Sequence, residues 1–437
     1  MTKRLRLIDI GILIVALAGS LWLGYRRASV SQATVDYLVT VSEPANGLVD
    51  VKATILPSRG LYLDVVLRDQ VQNSANRVKE FSVTRRGEPL RWREISSDRR
   101  RISLGWGRGP VEIRYRVDPT WYKGRAPRSL LSSEFGYLRG MVFLYAPVKS
   151  GSGDQSIVSA ASCQFALPAG WVLNSPLDEQ KSILSAEALG NTYFGIGRLA
   201  TTEIKEQGSV LSIAAYQGLG TEKVNDYLKS AATIYRTMVQ TTGFAPQAKA
   251  DRWALTILPD QTIHGGAAGT GSLVCSDDLG IIAHEAFHWY NGETIDATDE
   301  ASWLKEGFTT YYQGKLLLQS GMWTEQQMTA YLDGVAAKFE RAARGQVVNL
   351  SEASRRLIGS SNERDYDLVY YGGALLASHL DQSLAKQGGT LDAIWSLLHA
   401  EERIISTDRF VEVLRRVGGD ELAEQCAKIV HGEAPIQ

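Results

Sequence analysis

Apolar and polar positions alternate with a period of two through most of the first half of the chain. Residues 35–41, 49–55, 61–67 and 111–117 place an apolar or β-branched side chain at alternate positions, as strands with one buried face do. Arg86-Gly87-Glu88-Pro89, Asn191 and Gly195 punctuate the series as turn residues, and no helical period intervenes before Tyr216. A β-sandwich is the economical expectation for this part. Residues 178–189 fit either a short helix or a loop.

After Gly220 the apolar spacing changes to three and four. Residues 221–238 predict a helix with Thr221 near its N-cap, 253–258 and 271–275 predict strands, and 279–290 predict a second helix stopped by Asn291-Gly292. Further helices are expected near 306–319, 324–344, 371–387, 391–401, 408–417 and 420–430, with Thr407 and Asp420 capping the last two. The predicted organisation is multidomain α and β: an N-terminal segment (1–30), a β-sandwich (31–217), and an α+β domain with a helical C-terminal part (218–437).

The first residues change the picture of where the protein works. Lys3, Arg4 and Arg6 precede an apolar run from Leu7 to Tyr25 in which Asp9 is the sole charge, and Arg26-Arg27 follow. About nineteen residues are enough to cross a bilayer, and the charge bias favours an inside N-terminus with the bulk exported. An uncleaved anchor is expected, with the body outside the cytoplasm, periplasmic or extracellular. The alternative is a protein secreted after cleavage of a signal ending near Ala33.

Composition excludes little else. The 437 residues are 44% hydrophobic and 22% charged with a formal net charge of -1, which indicates neither disorder nor a nucleic-acid partner. Between Arg85 and Arg128 thirteen Lys or Arg stand against five Asp or Glu. That surplus reads as solvated strand faces or as a basic face toward an anionic membrane. Cys163, Cys275 and Cys426 are too few and too scattered for a disulfide framework or a cysteine metal site, and read as small buried residues.

The chemistry concentrates at His284-Glu285-Ala286-Phe287-His288. Histidines four apart lie one above the other on a helix face and can share one Zn2+, while Glu285 between them can hold an activated water. Glu306, eighteen positions after His288, offers a third ligand on the next helix and leaves a fourth position for water. His379, His399 and His431 show no ligand spacing and read as structural. His264 precedes the glycine-rich run 265–271 and is a hydrogen-bonded loop residue or a substrate contact.

These motifs resemble the gluzincin metallopeptidases, the superfamily of thermolysin, the membrane alanyl aminopeptidases and the glycyl aminopeptidases. The β-rich N-terminal part and Glu306-Gly307-Phe308-Thr309-Thr310-Tyr311-Tyr312 are most similar to the glycyl aminopeptidase group. The resemblance implies a thermolysin-like catalytic domain. Its chemistry would be zinc-dependent hydrolysis of peptide or protein substrates, with His284, His288 and Glu306 as metal ligands and Glu285 as general base. Tyr370 aligns with the tyrosine that donates to the oxyanion, although Gly372 replaces the lysine of that pattern and Tyr371 stays a second candidate. Gly265, Gly266, Ala267 and Ala268 occupy the edge segment that binds substrate. Ala268 stands where relatives carry the glutamate that holds a substrate's free amine, which favours an endopeptidase over an aminopeptidase. Two alternatives are a catalytically silent, membrane-anchored binding protein on the same fold and a zinc hydrolase of non-peptide substrates.

Overall fold

A computed structural model describes residues 30–67, 77–123, 126–150, 155–177, 184–246, 252–263, 265–359, 362–401 and 404–436. The N-terminal anchor expected at 1–30 therefore falls almost wholly outside the described residues, as does His264. Among the described residues no helix is long and apolar enough to cross a membrane. The chain forms two compact units: one runs to Leu173 and resumes up to Gly197, the other holds Asn174–Leu177 and everything from Arg198 onward.

The first unit is β-rich, as the period of two predicts. Val158–Ala166, Ala33–Thr40, Val49–Pro57, Val111–Val117, Val78–Arg85 and Glu88–Pro89 lie side by side in that order in a six-stranded sheet. Ala33–Thr40 and Val111–Val117 alternate buried with more exposed residues along their length, so each turns one face to the core. A second sheet orders Ala146–Val148, Tyr62–Val66, Arg99–Ser103 and Trp92–Glu94. Three buried polar tips are paired: Tyr37 donates to Tyr145 O at 2.7 Å, Tyr115 to Phe143 O at 2.8 Å, and Arg100 to the Tyr145 hydroxyl at 2.6 Å. The undecided segment near 178–189 ends in a short helix, Ala186–Asn191, capped by Ser185.

The second unit begins earlier than residue 218. Leu199–Glu206 and Ser209–Tyr216 form a hairpin, and the second of these strands pairs in parallel with Trp253–Leu258. The full order is Leu199–Glu206, Ser209–Tyr216, Trp253–Leu258, Ser272–Ser276 and Gly266–Gly269, which puts the glycine-rich strand at the sheet edge. A period-two pattern is the same whichever sheet a strand joins, so the hairpin could not be told from the preceding strands. Trp253–Leu258 is buried at every position, as a central strand covered on both faces must be.

Helices then carry the site. Leu279–Phe287 is capped by Asp278, whose carboxylate accepts from Ile281 N at 2.9 Å. Trp303–Gly307 is a π-helical turn that runs into Phe308–Gln319. Glu325–Ala343 opens with a capping box from Thr324 and Gln327. Three expectations are corrected. The helix predicted from 371 spans Glu363–Lys386, so Tyr370 lies inside it rather than at its start. Leu350–Gly359 is an additional helix. The last two expected helices are both present within Thr407–Val430, parted at the non-helical Gly419, but Ser406, not Thr407, caps the first of them. Likewise Gly220 precedes Thr221–Thr242, and Thr221 is its first helical residue.

Candidate active site

His284 and His288 project from one face at the end of the histidine helix, Leu279–Phe287, with His288 itself at the C-cap. Phe287, between them, stacks on Tyr312 of the Phe308–Gln319 helix with ring centroids 4.2 Å apart, which brings the two helices into register. Glu306 then reaches both histidines. Its Oε2 lies 3.3 Å from His288 Nε2 and 4.0 Å from His284 Nε2, and the ligand atoms of all three lie within 4.8 Å of one another. Donors each about 2.0–2.1 Å from a tetrahedral zinc stand about 3.4 Å apart, so this His, His, Glu set fits the ion. Among the described residues it is the one cluster of metal-ligating type.

Two residues outside the motif hold the ligands, and sequence reasoning missed both. Asn291, read only as a stop signal, is 1% exposed. Its carbonyl contacts His288 Nδ1 at 3.0 Å, which leaves Nε2 for the metal, and its side-chain amide donates to Leu304 O at 2.9 Å and Lys305 O at 2.8 Å. The wide π turn presents those carbonyls to a side chain, so one asparagine binds the histidine turn to the backbone beside Glu306. Gln313 hydrogen-bonds His284. Gly280 makes room for it, since a Cβ there would lie 2.6 Å from Gln313 Nε2. The signal was present in the spacing: Gln313 is seven positions after Glu306, two turns along the same helix face.

The three side chains shift one another's protonation. Burial, with His288 beside it, pushes His284 down to about 3. Burial acts in the same direction on His288, but the adjoining Glu306 carboxylate outweighs it and holds the imidazole up at about 9. Burial would raise Glu306, and the neighbouring His288 reverses this to about 2.

Tyr370 and Tyr371 separate in the structure. Tyr370 lies parallel to His284, 6.1 Å between ring centroids, and hydrogen-bonds Glu306. Burial, then the Glu306 charge, raises its phenol far above the ordinary value and keeps it a donor. Tyr371 instead accepts from Lys338 Nζ at 3.1 Å. Tyr366, one turn before Tyr370, stacks on it at 3.9 Å and stands 40% exposed at the site; sequence reasoning did not single it out. The helices cross at glycine: a Cβ on Gly307 would lie 2.6 Å from Gly373 C, and one on Gly373 would strike Trp303 O. That backbone contact fixes Tyr370 against Glu306.

The edge strand Gly266–Gly269 passes directly beside Glu285. A Cβ on Gly266 would lie 2.5 Å from Glu285 Cδ and 2.6 Å from its Oε1. Gly266 and the exposed Ala268 share this face, whereas Ala267 is 9% exposed on the other, so the four predicted contact residues do not act alike. Gly265 enters the strand at φ +110°. The remaining expectations are structural: His399 stacks on Phe244 at 4.2 Å, His431 closes the last helix, and the three cysteines are buried and free, with burial pushing Cys426 up to about 12.

This fold and this site are those of a zinc metallopeptidase, a hydrolase. Residues 277–376, which hold every ligand and Tyr370, match the family model of the M61 glycyl aminopeptidases. No curated protein matches the chain. Among solved structures, an aminopeptidase N family protein from Idiomarina loihiensis is similar, with a TM-score of 0.76 and 18% identity over 92% of this chain and 77% of that one. An M1 zinc metallopeptidase mutant from Deinococcus radiodurans, bound to a Tyr-Ser-Ala substrate, gives 0.58 and 15% over 93% and 96%. Native yeast LTA4 hydrolase gives 0.53 and 14% over 92% and 68%. At these identities the likeness is one of fold.

Proposed function

We propose that the second unit is a thermolysin-like catalytic domain that cleaves peptide bonds inside a chain, with His284, His288 and Glu306 as zinc ligands. Zinc bound there would supply a Lewis acid able to acidify a water and polarise the scissile carbonyl. Glu285 takes the proton from that water and passes it to the leaving nitrogen. Tyr370, fully protonated at neutral pH, donates a hydrogen bond to the oxygen as negative charge develops on it. The strand Gly266–Gly269 lies at the sheet edge beside Glu285, where an extended substrate can add as a further strand.

The observation that carries this reading is the convergence of three ligand atoms beside a glutamate that rests on the edge strand. Preference for internal bonds is supported by the exposed Ala268, which places a methyl where relatives place an amine-binding carboxylate. Residues 7–25 are proposed to anchor the protein in a membrane with both units outside the cytoplasm. Cleavage of one peptide set in free and N-acetylated forms tests the reading. Zinc-dependent, chelator-sensitive cleavage of the acetylated forms is expected. Cleavage confined to free amino termini would make the protein an aminopeptidase with another amine anchor, and no cleavage of either would make it a binding protein.

A further inference from the structure

One end of the first unit carries an exposed aromatic tip. Trp106 is 92% exposed, whereas Trp253, Trp289, Trp303 and Trp395 are fully buried. Its turn is built rather than loose. Gly105 and Gly109 take left-handed φ of +57° and +106°, and the buried Arg85 guanidinium donates to Leu104 O at 2.7 Å. Gly107 packs against the same guanidinium with no room for a Cβ. Arg108 is exposed on the tip, and Arg86 lies about Gly109.

The tip adjoins the place where the chain enters the fold. Leu104 N donates to Leu61 O at 2.7 Å, and Val30 N donates to the next carbonyl, Tyr62 O, at 3.1 Å. Ser58 N bonds Gln32 O at 2.7 Å, so the turn carrying the exposed Arg59 is pinned to the first described residues. Leu56, 54% exposed, and Tyr62, 37% exposed, stand nearby. Residues 56–61 and 104–110 contain two arginines and no acid; the nearest acidic residues in sequence, Asp64 and Glu112, are each paired, Asp64 with Arg101 and Glu112 with Lys52 and Arg114.

We propose that these two turns dock on the headgroup layer of an anionic lipid bilayer, with Trp106 in the interfacial layer and Arg59, Arg108 and Arg86 over the phosphates. This rests on the reading of residues 7–25 as an anchor. The apolar run ends at Tyr25, five positions before Val30, and five residues reach at most about 17 Å, so the anchor would hold these turns against the bilayer. An indole ring on a convex, arginine-flanked tip has the amphipathic chemistry of the interface, and the local charge selects anionic lipid.

Hydrogen exchange on the full-length protein tests this, in vesicles of phosphatidylcholine alone and with added phosphatidylglycerol, each checked by flotation. Amides of 58–61 and 104–109 are expected to exchange more slowly on the anionic vesicles. The difference should vanish in Trp106→Ala combined with Arg108→Glu, with peptidase activity unchanged. Each arginine near an anionic surface is worth about a fivefold change in association. Equal exchange on both vesicle types, in protein that floats with both, would overturn the proposal and leave the anchor standing. Failure to float on neutral vesicles would overturn the anchor; flotation on anionic vesicles that the double variant loses would then still support the tip, and its absence would sink both.

Discussion

At the residue scale the ligands are set by side chains that touch no substrate. Glu285 and the two histidines were legible because a helix repeats every 3.6 residues and the motif states its own geometry. Asn291 and Gln313 were not, since a hydrogen bond to a π-turn carbonyl or to an imidazole has no sequence period. Replacing Glu285 by Gln removes the proposed base while keeping its shape. Turnover should fall on the order of 10²–10⁴-fold, with zinc content unchanged by atomic absorption. Asn291→Ala frees His288 Nδ1 of no partner, because the backbone carbonyl stays, but it releases the Glu306 segment. Zinc affinity should drop about 10–100-fold in chelator competition, and kcat of the fully loaded enzyme should change far less. A larger loss in kcat than in affinity would show that Asn291 acts on the chemistry instead.

At the scale of elements, the π turn and the long tyrosine helix decide how Glu306 meets Tyr370. Gly307 and Gly373 allow their backbones to touch, and a methyl at either position has only backbone to displace. Gly373→Ala should therefore cost about 1–3 kcal/mol, read as a lowered melting temperature, and should reduce activity beyond what zinc loss explains. Gly334→Ala, with open space around its Cβ on an exposed helix face, is the matched control and should leave activity unchanged while raising the melting temperature slightly. Strand 253–258 and strand 111–117 were legible to the residue, because burial on one or both faces imposes its period directly. The start of the tyrosine helix was not: Arg356, on the preceding helix, hydrogen-bonds Asp365 at 2.9 Å and helps fix its first turn, a tertiary contact that no local pattern announces.

At the scale of the whole molecule, the change from β-rich to helical was plain in the sequence, but the seam between the two units was not. The hairpin 199–216 is a strand pair by pattern and a member of the second unit by pairing. A fragment begun at residue 218, as the pattern alone would suggest, discards both strands and uncovers one side of Trp253–Leu258. That strand is apolar on both faces and would then present a free row of amides and carbonyls, a template for other chains. Such a fragment is expected to precipitate or elute as high-mass aggregate in size-exclusion chromatography. One begun at residue 198 keeps the hairpin and should elute with far less aggregate. The hairpin thus works as a guard against self-association for a sheet whose opposite edge is the strand proposed to receive a substrate.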